Sequence, residues 1–381
     1  MKNNTTTKFP VDRNEFPILQ EKIMLSSCSQ SALSLQVIQA FDDYKNSLLS
    51  NGMEWEEWMT IVESSRNLFA KLINCDPEEV AILASVSDCI SSIINSIPFN
   101  EGESICVTDI DFPCIGHAAL SNQTIRNVPV TFIPHQNYTI DIDQFEKLHT
   151  NSVKLTCVPH VNYYNGFKLD LKSISNIVHK NDSLLFVDAY QSAGSTKIDV
   201  KEMGIDILVS GMQKYLMGVP GIAFMYINKE VSSKLTPAVT GWFGQKNPFL
   251  FDLKHVDYAE ATKRFNTGTP PVANAYIAER ALQYILNIGI ENIEGYLNEL
   301  SEYTVKKAQE LGFTIVSPID TKLKGPTTAL LIPNASKVEA TLKERNIIVS
   351  SRQDVIRIAP HIYNTKDDID HTLHQLEPFI S

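Results

Sequence analysis

An aspartate and a lysine follow two apolar runs of this sequence. Asp188 comes directly after the run 184–187, and Lys214 follows the run 207–209 after a short polar stretch. The segment between the runs is long enough for a crossover, so we expect two neighbouring parallel strands. Because ligands bind beyond the carboxyl ends of parallel strands, the pattern predicts that the carboxylate and the amine meet in one cleft.

A hydroxyl-rich segment, Ser85-Val86-Ser87-Asp88, stands before an apolar helix-like stretch at 89–97. The start of a helix offers free backbone N–H groups, which suit a phosphate. A lysine can form a Schiff base with an aldehyde, and an aspartate can keep a pyridine nitrogen protonated. Together these requirements describe pyridoxal phosphate.

Other enzyme classes are disfavoured by what the sequence lacks. It contains no GxxxxGK[ST] phosphate loop, no GxGxxG after the first strand, no GxSxG elbow and no HExxH helix. Nucleotide hydrolysis, Rossmann redox chemistry and standard serine or zinc hydrolysis are therefore not expected. The six cysteines form no CxxC pair and no cluster with histidine, so we expect free thiols in a reducing cytosol and no metal site.

The remaining pattern indicates an α/β sheet with a smaller unit after it. Short apolar runs that alternate with helix-like stretches predict strands at 80–84, 105–107, 155–158, 184–187, 207–209 and 222–227. Beyond them, helices are predicted at 275–286 and 293–311, and strands at 313–316, 329–332 and 355–358. We therefore predict an N-terminal arm at 1–30 that packs on the small domain, a large domain at 31–265, and a small α+β domain at 266–381.

The composition is that of an ordinary globular protein. The chain has 381 residues, 43% of them hydrophobic, and a formal net charge of −11. This charge argues against nucleic acid and anionic membrane surfaces as partners, because such partners need basic patches. No apolar run approaches the roughly 20 residues of a membrane span, and the polar N-terminus lacks a signal-peptide core. We expect a cytoplasmic protein.

Two segments carry a resemblance to a known family. V-D-A-Y-Q-S-A-G at 187–194 and D-I-L-V-S-G-M-Q-K-Y-L-M-G-V-P-G-I-A-F-M-Y at 206–226 resemble the signature of class V aminotransferase-type, fold type I pyridoxal-phosphate enzymes. The resemblance implies a large domain with a seven-stranded, mainly parallel sheet. It also implies that Lys214 forms the Schiff base, that Asp188 pairs with the pyridinium nitrogen, and that Gln191 bonds the phenolic oxygen of the cofactor.

The same resemblance implies further cofactor contacts. It assigns the phosphate to four residues: the Val86 backbone, Ser87, Ser210 and Gln213. Phe112 would stack on the ring, while Asn162 would bond the phenolic oxygen or merely shape its loop, with Tyr163 competing for that place. Gly268 and Thr269 would reach the phosphate of a partner subunit, which implies a homodimer with active sites at the interface. Taken singly, Ser87 could be a helix N-cap and Phe112 an ordinary core residue.

Other segments resemble kynureninase. They are G-W-F-G-Q-K-N-P-F at 241–249, G-T-P-P at 268–271, V-N-Y-Y-N-G at 161–166, D-F-P at 111–113 and R-Q-D-V-I-R-I-A-P-H-I-Y-N at 352–364. Arg357 would clamp the substrate carboxylate, although alone it could form a surface ion pair. Trp242 would line the substrate side or pack in the core. Kynureninases usually carry a histidine where this chain has Gln191, and a tyrosine where it has Gln213.

These features predict a small-molecule amino-acid substrate and leave the reaction open between alternatives. The first is a kynureninase-like side-chain lyase or hydrolase. The second is an aminotransferase, because glutamine before the lysine is the pattern of alanine–glyoxylate and serine–glyoxylate aminotransferases. The third is a non-catalytic relative that binds pyridoxal phosphate. Cysteine desulfurase chemistry is disfavoured, because no cysteine follows Cys157 to serve as the nucleophile.

Overall fold

The computed structural model describes residues 11–380. Its α-helices are α1 (Leu35–Asn51), α2 (Trp55–Ile73), α3 (Val86–Ser96), α4 (Pro113–Arg126), α5 (Ile142–Leu148), α6 (Leu171–Lys180), α7 (Val200–Met203), α8 (Lys229–Lys234), α9 (Val272–Ile288), α10 (Ile290–Glu310), α11 (Ala335–Glu344) and α12 (Lys366–Leu376). Its strands are β1 (Ile23–Met24), β2 (Val80–Leu83), β3 (Ser104–Thr108), β4 (Val130–Ile133), β5 (Val153–Pro159), β6 (Leu184–Asp188), β7 (Ile207–Gly211), β8 (Ala223–Ile227), β9 (Thr328–Leu331), β10 (Ile347–Ile348), β11 (Ser350–Arg352) and β12 (Val355–Ile358).

The fold is α/β and its central sheet has seven strands, in the order β2-β8-β7-β6-β5-β3-β4. The strands β4, β3, β5, β6 and β7 run parallel to one another, and β8 is antiparallel to both of its neighbours. The predicted pairing of the runs that precede Asp188 and Lys214 is therefore confirmed, and so is the mainly parallel seven-stranded sheet.

Helices cover both faces of this sheet. Successive strand residues point to opposite faces, so Phe186 packs with Ile90 and Ile93 of α3. Val187 lies on the other face, in a core that includes residues of α2, α6 and α9. On that face the rings of Phe69 and Phe224 stack with their centroids 4.6 Å apart. Burial on both faces explains why these strands are continuously apolar.

A smaller antiparallel sheet, in the order β11-β12-β9, follows in the C-terminal part of the chain. The segment before α1 packs against this part, because β1 pairs with β10 in parallel and Arg13 forms an ion pair with Asp368 at 2.6 Å. The first ten residues of the predicted arm lie outside the described residues. The boundaries predicted after residues 30 and 265 stay predictions.

Several elements differ from the sequence-based expectations. Residues 313–316 form no strand and contribute a single bridge, between Ile315 and Leu330. Strand β4 was not predicted, because its burial is incomplete and its apolar signal is short. The helix expected at 89–97 begins earlier, at Val86. Among residues 11–380, no helix is long and apolar enough to span a bilayer.

Candidate active site

A cavity of about 280 Å³ lies where β5, β6 and β7 end. The starts of α3 and α4 form its other walls. The predicted site residues among its lining are Val86, Ser87, Phe112, Asp188, Gln191, Gln213 and Lys214, joined by Tyr163 and Tyr190. A larger groove of about 1370 Å³ elsewhere on the chain is lined by none of the predicted site residues. The chemistry predicted from the sequence therefore converges on the smaller cavity.

Asp188 and Lys214 are the ionisable pair of this cavity. Asp188 is buried at the end of β6, and its Oδ1 accepts a hydrogen bond from the Tyr190 N–H at 2.8 Å. Burial raises the pKa of Asp188, against the opposing effects of that N–H and of Lys214. Burial also lowers the pKa of the half-buried Lys214 to about 8. A lysine with this pKa has a neutral, nucleophilic fraction near neutral pH.

Aromatic rings surround the amine. The Lys214 Nζ lies 4.3 Å from the centroid of Tyr190 and 5.6 Å from that of Phe112. Phe112 is exposed at the start of α4 and meets Tyr163 edge to face, with centroids 5.2 Å apart. The Tyr190 hydroxyl donates to Gln213 Oε1 at 3.2 Å. A flat ligand would therefore meet ring faces and edges beside the amine.

The start of α3 forms one end of the cavity. Ser85 is the N-cap, because its hydroxyl oxygen accepts the Asp88 N–H at 3.1 Å. Ser87 is therefore not the cap, and its exposed side chain is left to line the cavity. The first N–H groups of a helix have no partner within it, so those of Val86 and Ser87 are available to a phosphate.

The two glutamines are tied to the N-terminal part of the chain. Gln191 Nε2 donates to the Cys28 carbonyl at 3.0 Å, and Gln213 Nε2 donates to the Ser29 carbonyl at 3.4 Å. The Ser31 hydroxyl donates to the Lys214 carbonyl at 2.7 Å. Residues 28–31 therefore back the cavity and fix the positions of both amides.

Arg357 is buried on β12 and does not line the cavity itself, but it contacts Tyr163, which does. Its Nη1 donates to the Tyr163 carbonyl at 2.6 Å, and its Nη2 donates to the hydroxyls of Ser29 at 3.1 Å and Ser350 at 2.7 Å. No ion pair between described residues includes Arg357. The predicted alternative of a surface ion pair is therefore wrong, and a buried guanidinium without a carboxylate partner is suited to bind an anion.

The structure does not bring Ser210 and Asn162 to the cavity. Ser210 is buried on β7, and its hydroxyl donates to the Gly211 carbonyl at 3.0 Å. Asn162 Oδ1 accepts the Tyr164 N–H at 2.7 Å, which closes the loop after β5. Of the two alternatives for Asn162, the described contacts correspond to shaping the loop, while Tyr163 occupies the place beside the cavity.

Trp242, Gly268 and Thr269 also lie outside the lining of this cavity. Trp242 is half-buried among aromatic rings, with Trp55 and Phe251 each 6.0 Å away. Gly268 and Thr269 are exposed in a turn before α9. Such positions contribute nothing to the cavity of their own chain, and their predicted reach into a partner subunit stays a prediction.

Two residues at or beside the cavity were missed in the sequence. Tyr190 lies two residues after Asp188, and this position at a strand end was a usable signal. Ser29 lies in the polar run 26–31, where no periodicity or motif points to an active site. Its contact with Arg357 spans 328 positions of the chain, and a pattern read over short windows cannot detect such a contact.

Comparison with known proteins identifies the class of this fold and site. The sequence model of the family "Aminotransferase class-V" matches residues 23–372. This chain belongs to that family. It is 39% identical over 364 residues to the uncharacterized aminotransferase YcbU of Bacillus subtilis, covering 96% of each protein. It is 25% identical over 349 residues to a kynureninase of Bacillus cereus, covering 87% of this chain and 81% of the relative.

A solved structure has the same fold. The apo cysteine desulfurase of Thermococcus onnurineus superimposes with a TM-score of 0.87 at 22% sequence identity, covering 97% of both chains. The predicted fold type I architecture is thereby confirmed. The protein is a pyridoxal-phosphate-dependent enzyme. Its cavity fits this cofactor, because an amine, a buried carboxyl, an aromatic ring and free helix N–H groups line one space.

Proposed function

We propose that this enzyme is a kynureninase-like lyase or hydrolase that cleaves the side chain of a small or medium α-amino acid. The supporting observation is that two phenols, Tyr163 and Tyr190, line the same cavity as Lys214. Transamination can move its protons with the lysine alone, whereas side-chain cleavage benefits from a further acid near the departing group. Burial raises the pKa of Tyr190 to about 12, so this phenol keeps its proton at neutral pH.

The cofactor contacts that we propose follow from the cavity. When bound, pyridoxal phosphate supplies an electron sink for the bond that breaks at the α-carbon. Asp188 would hold the proton of the ring nitrogen, and Gln191 would donate to the phenolic oxygen. The N–H groups of Val86 and Ser87 would bind the phosphate, and Phe112 would cover one ring face. Gln213 would contribute to the phosphate site, whereas Ser210 would act only through the backbone around it.

Lys214 and Arg357 would handle the substrate. Lys214 would carry the cofactor and, once released, move the proton of the α-carbon, a role that its pKa of about 8 supports. Arg357 would bind the α-carboxylate, because its planar guanidinium can make two parallel hydrogen bonds. Arg357 bonds the carbonyl of Tyr163, which lines the cavity together with Lys214. This contact supports a substrate position between Lys214 and Arg357.

We also propose a homodimer in which Gly268 and Thr269 reach the phosphate site of the partner subunit, while Trp242 lines the substrate side. Their exposed or half-buried positions outside their own cavity support this arrangement. Six unpaired cysteines are consistent with the reducing cytoplasm, where we propose that the enzyme acts.

Aminotransferase activity is the second candidate. Gln213 precedes Lys214 and accepts the Tyr190 hydroxyl, where a kynureninase usually carries tyrosine. The similarity to YcbU, which is named an aminotransferase, also favours this candidate. Both reactions would use Lys214, Asp188 and Arg357 in the same way, so they differ only after the α-proton has moved.

A panel of amino acids, followed by cofactor absorbance and mass spectrometry of products, separates the candidates. We expect a product such as alanine or pyruvate to be released while the cofactor stays in its aldehyde form. Stoichiometric conversion to pyridoxamine phosphate that a keto acid reverses would instead establish the aminotransferase.

A lysine variant serves as the control for this panel. Lys214→Ala should bind the cofactor without a covalent link and lose turnover of every amino acid. A retained covalent link in that variant would mean that another lysine carries the cofactor.

A further inference from the structure

The linking segment, residues Ser29–Ser31, connects two parts of the site that are distant in sequence. One end of the segment contacts Arg357 on β12, and the other contacts the loop after β7, which carries Lys214. The segment is thus a hydrogen-bonded path between the proposed carboxylate clamp and the backbone of the cofactor lysine.

At the clamp, Ser29 shares the guanidinium with Ser350. Arg357 Nη2 donates to Ser29 Oγ at 3.1 Å and to Ser350 Oγ at 2.7 Å, and the two hydroxyls are 2.8 Å apart. Arg357 Nη1 donates to the Tyr163 carbonyl, and Nε donates to the Ser350 carbonyl at 3.5 Å. Four of the five guanidinium N–H groups are therefore in use.

At the lysine, the linking segment makes backbone contacts. The Ser31 N–H donates to the Gln213 carbonyl at 3.1 Å, and the Ser31 hydroxyl donates to the Lys214 carbonyl at 2.7 Å. The Gln30 side chain donates to the Gly218 carbonyl at 3.2 Å. These bonds hold both ends of residues 213–218.

We propose that the linking segment couples carboxylate binding at Arg357 to the mobility of the Lys214 loop, residues 213–218. This inference rests on the proposed role of Arg357. A carboxylate bound through two N–H groups finds one free and must displace one partner. A carboxylate that takes the free Nη1 N–H also needs one N–H of Nη2, and Ser29 is the displaced partner because it makes the longer of the two Nη2 bonds. Release of Ser29 loosens the segment and, through Ser31, the backbone of Lys214.

The coupling gives the enzyme an order of events. Before a substrate arrives, the linking segment holds Lys214 in the position that the cofactor requires. Once a carboxylate occupies Arg357, the lysine backbone becomes free to adjust while its amine changes from carrier to proton-transfer group. Ser29 and Ser31 are therefore positioning residues that act through Arg357 and Lys214 without touching the reacting atoms.

Hydrogen exchange of the cofactor-loaded enzyme tests the coupling, with propionate as a carboxylate that lacks the amine. In the Lys214 loop, the Met217 N–H bonds the Lys214 carbonyl and the Gly218 N–H bonds the Met212 carbonyl, so these amides report on its mobility. We expect propionate to slow exchange in β12 and to speed exchange in the loop by about fivefold or more, the lower end of typical coupling between sites.

Variants of the segment separate this coupling from a direct effect of charge. In Ser29→Ala, the amides of the Lys214 loop should exchange rapidly even without propionate, and adding propionate should not speed them further. Propionate should still slow amide exchange in β12. Ser31→Ala should give the same insensitivity from the other end, and it serves if Ser29→Ala fails to fold. Ser233→Ala is the matched control and should behave as the native enzyme, because the exposed Ser233 donates its hydroxyl to the Glu230 carbonyl within α8, outside the linking segment.

The possible failures can be told apart. Protection of β12 by propionate without any change in the Lys214 loop of the native enzyme would overturn the coupling and leave the clamp role of Arg357 standing. A native response in Ser29→Ala and Ser31→Ala would also overturn the coupling. If propionate protects neither region, the role of Arg357 fails and the coupling fails with it.

Discussion

Tyr190 joins the two ionisable groups of the site. Its ring centroid lies 4.3 Å from the Lys214 amine, and its backbone N–H donates to the Asp188 carboxylate at 2.8 Å. The face of an aromatic ring favours a charged amine, whereas burial favours a neutral one. Burial lowers the pKa of Lys214 to about 8, and the ring of Tyr190 opposes this effect of burial.

Replacing this ring should lower the pKa of Lys214 further. Tyr190→Leu removes the ring face, whose interaction with a cation contributes about 0.5–2 kcal/mol, so we expect the pKa to fall by about 0.4 to 1.5 units. Tyr190→Phe keeps the ring and should leave the lysine pKa close to its native value. The pH dependence of the rate at which pyridoxal phosphate attaches to the apoenzyme measures this pKa. An equal profile for both variants would contradict the prediction.

Gly194 should tolerate no side chain. Its φ is +89°, and a Cβ would lie 2.2 Å from the carbonyl oxygen of Tyr215, the residue after Lys214. We expect Gly194→Ala to lower the free energy of unfolding by about 1–3 kcal/mol and to weaken cofactor binding, because the backbone beside the lysine must move. Denaturant unfolding and cofactor titration measure the two effects.

A second glycine provides the control. Gly295 lies within α10 with nothing within 4 Å of an added Cβ, so Gly295→Ala should stabilise the protein by about 0.5–1 kcal/mol. Equal stability of Gly194→Ala and the native enzyme would show that the approach of these two backbone segments can relax without cost.

Loss of the Arg357 guanidinium should affect the substrate more than the cofactor. Removing one partner of a buried, charged hydrogen-bonded pair costs about 2–5 kcal/mol, so kcat/KM for the amino acid should fall at least about 30-fold in Arg357→Leu. Cofactor affinity, measured by absorbance titration, should stay within a few-fold. Arg345→Gln, at an exposed position at the end of α11, is the matched control and should retain activity.

Lys324 should make stability depend on pH. This lysine is buried, its Nζ donates to the Ser301 and Thr328 hydroxyls, and none of the ion pairs between described residues includes it. Burial lowers its pKa from 10.5 to about 7, so between these values the unfolded chain binds more protons than the folded one. Stability contributed by this group therefore rises with pH across this window and is lowest below pH 7.

A neutral replacement checks that dependence. Lys324→Met should flatten the rise in unfolding free energy between pH 7 and 10, where each unit of pKa shift corresponds to about 1.4 kcal/mol. Denaturant titrations at several pH values supply the comparison, with Lys322→Met as a control at a nearby exposed position. The same slope in both variants would assign the pH dependence to other groups.

Much of the fold could be predicted because its signals are local. Buried parallel strands are continuous apolar runs, so the segments before Asp188 and Lys214 were recognisable and their pairing was correct. Strand β4 and the bridge at Ile315 lie at the margins of sheets, where burial is partial and the pattern is weak. Topology beyond neighbouring strands depended on the family resemblance rather than on periodicity.

The site was predictable where it follows strand ends and not where distant segments meet. Asp188, Gln191 and Lys214 converge because parallel strands end at one edge of the sheet. The expected side-chain role of Ser210 came from a motif, and in the structure its hydroxyl bonds its own neighbour instead. Ser29 reaches the site because β1 pairs with β10 and Ser26 bridges Ala359, the residue after β12, and no local pattern encodes that meeting.

The contact between Ser29 and Arg357 has a consequence for biosynthesis. The two residues are 328 positions apart, so the N-terminal half of the clamp leaves the ribosome long before its partner strand is made. Closing so long a loop is slow and costs entropy, and domains fold as units during synthesis. The large sheet can therefore assemble first, while the contact between Ser29 and Arg357 forms only after β12 has been made. The proposed carboxylate clamp is thus absent from any nascent chain that has not yet reached Arg357.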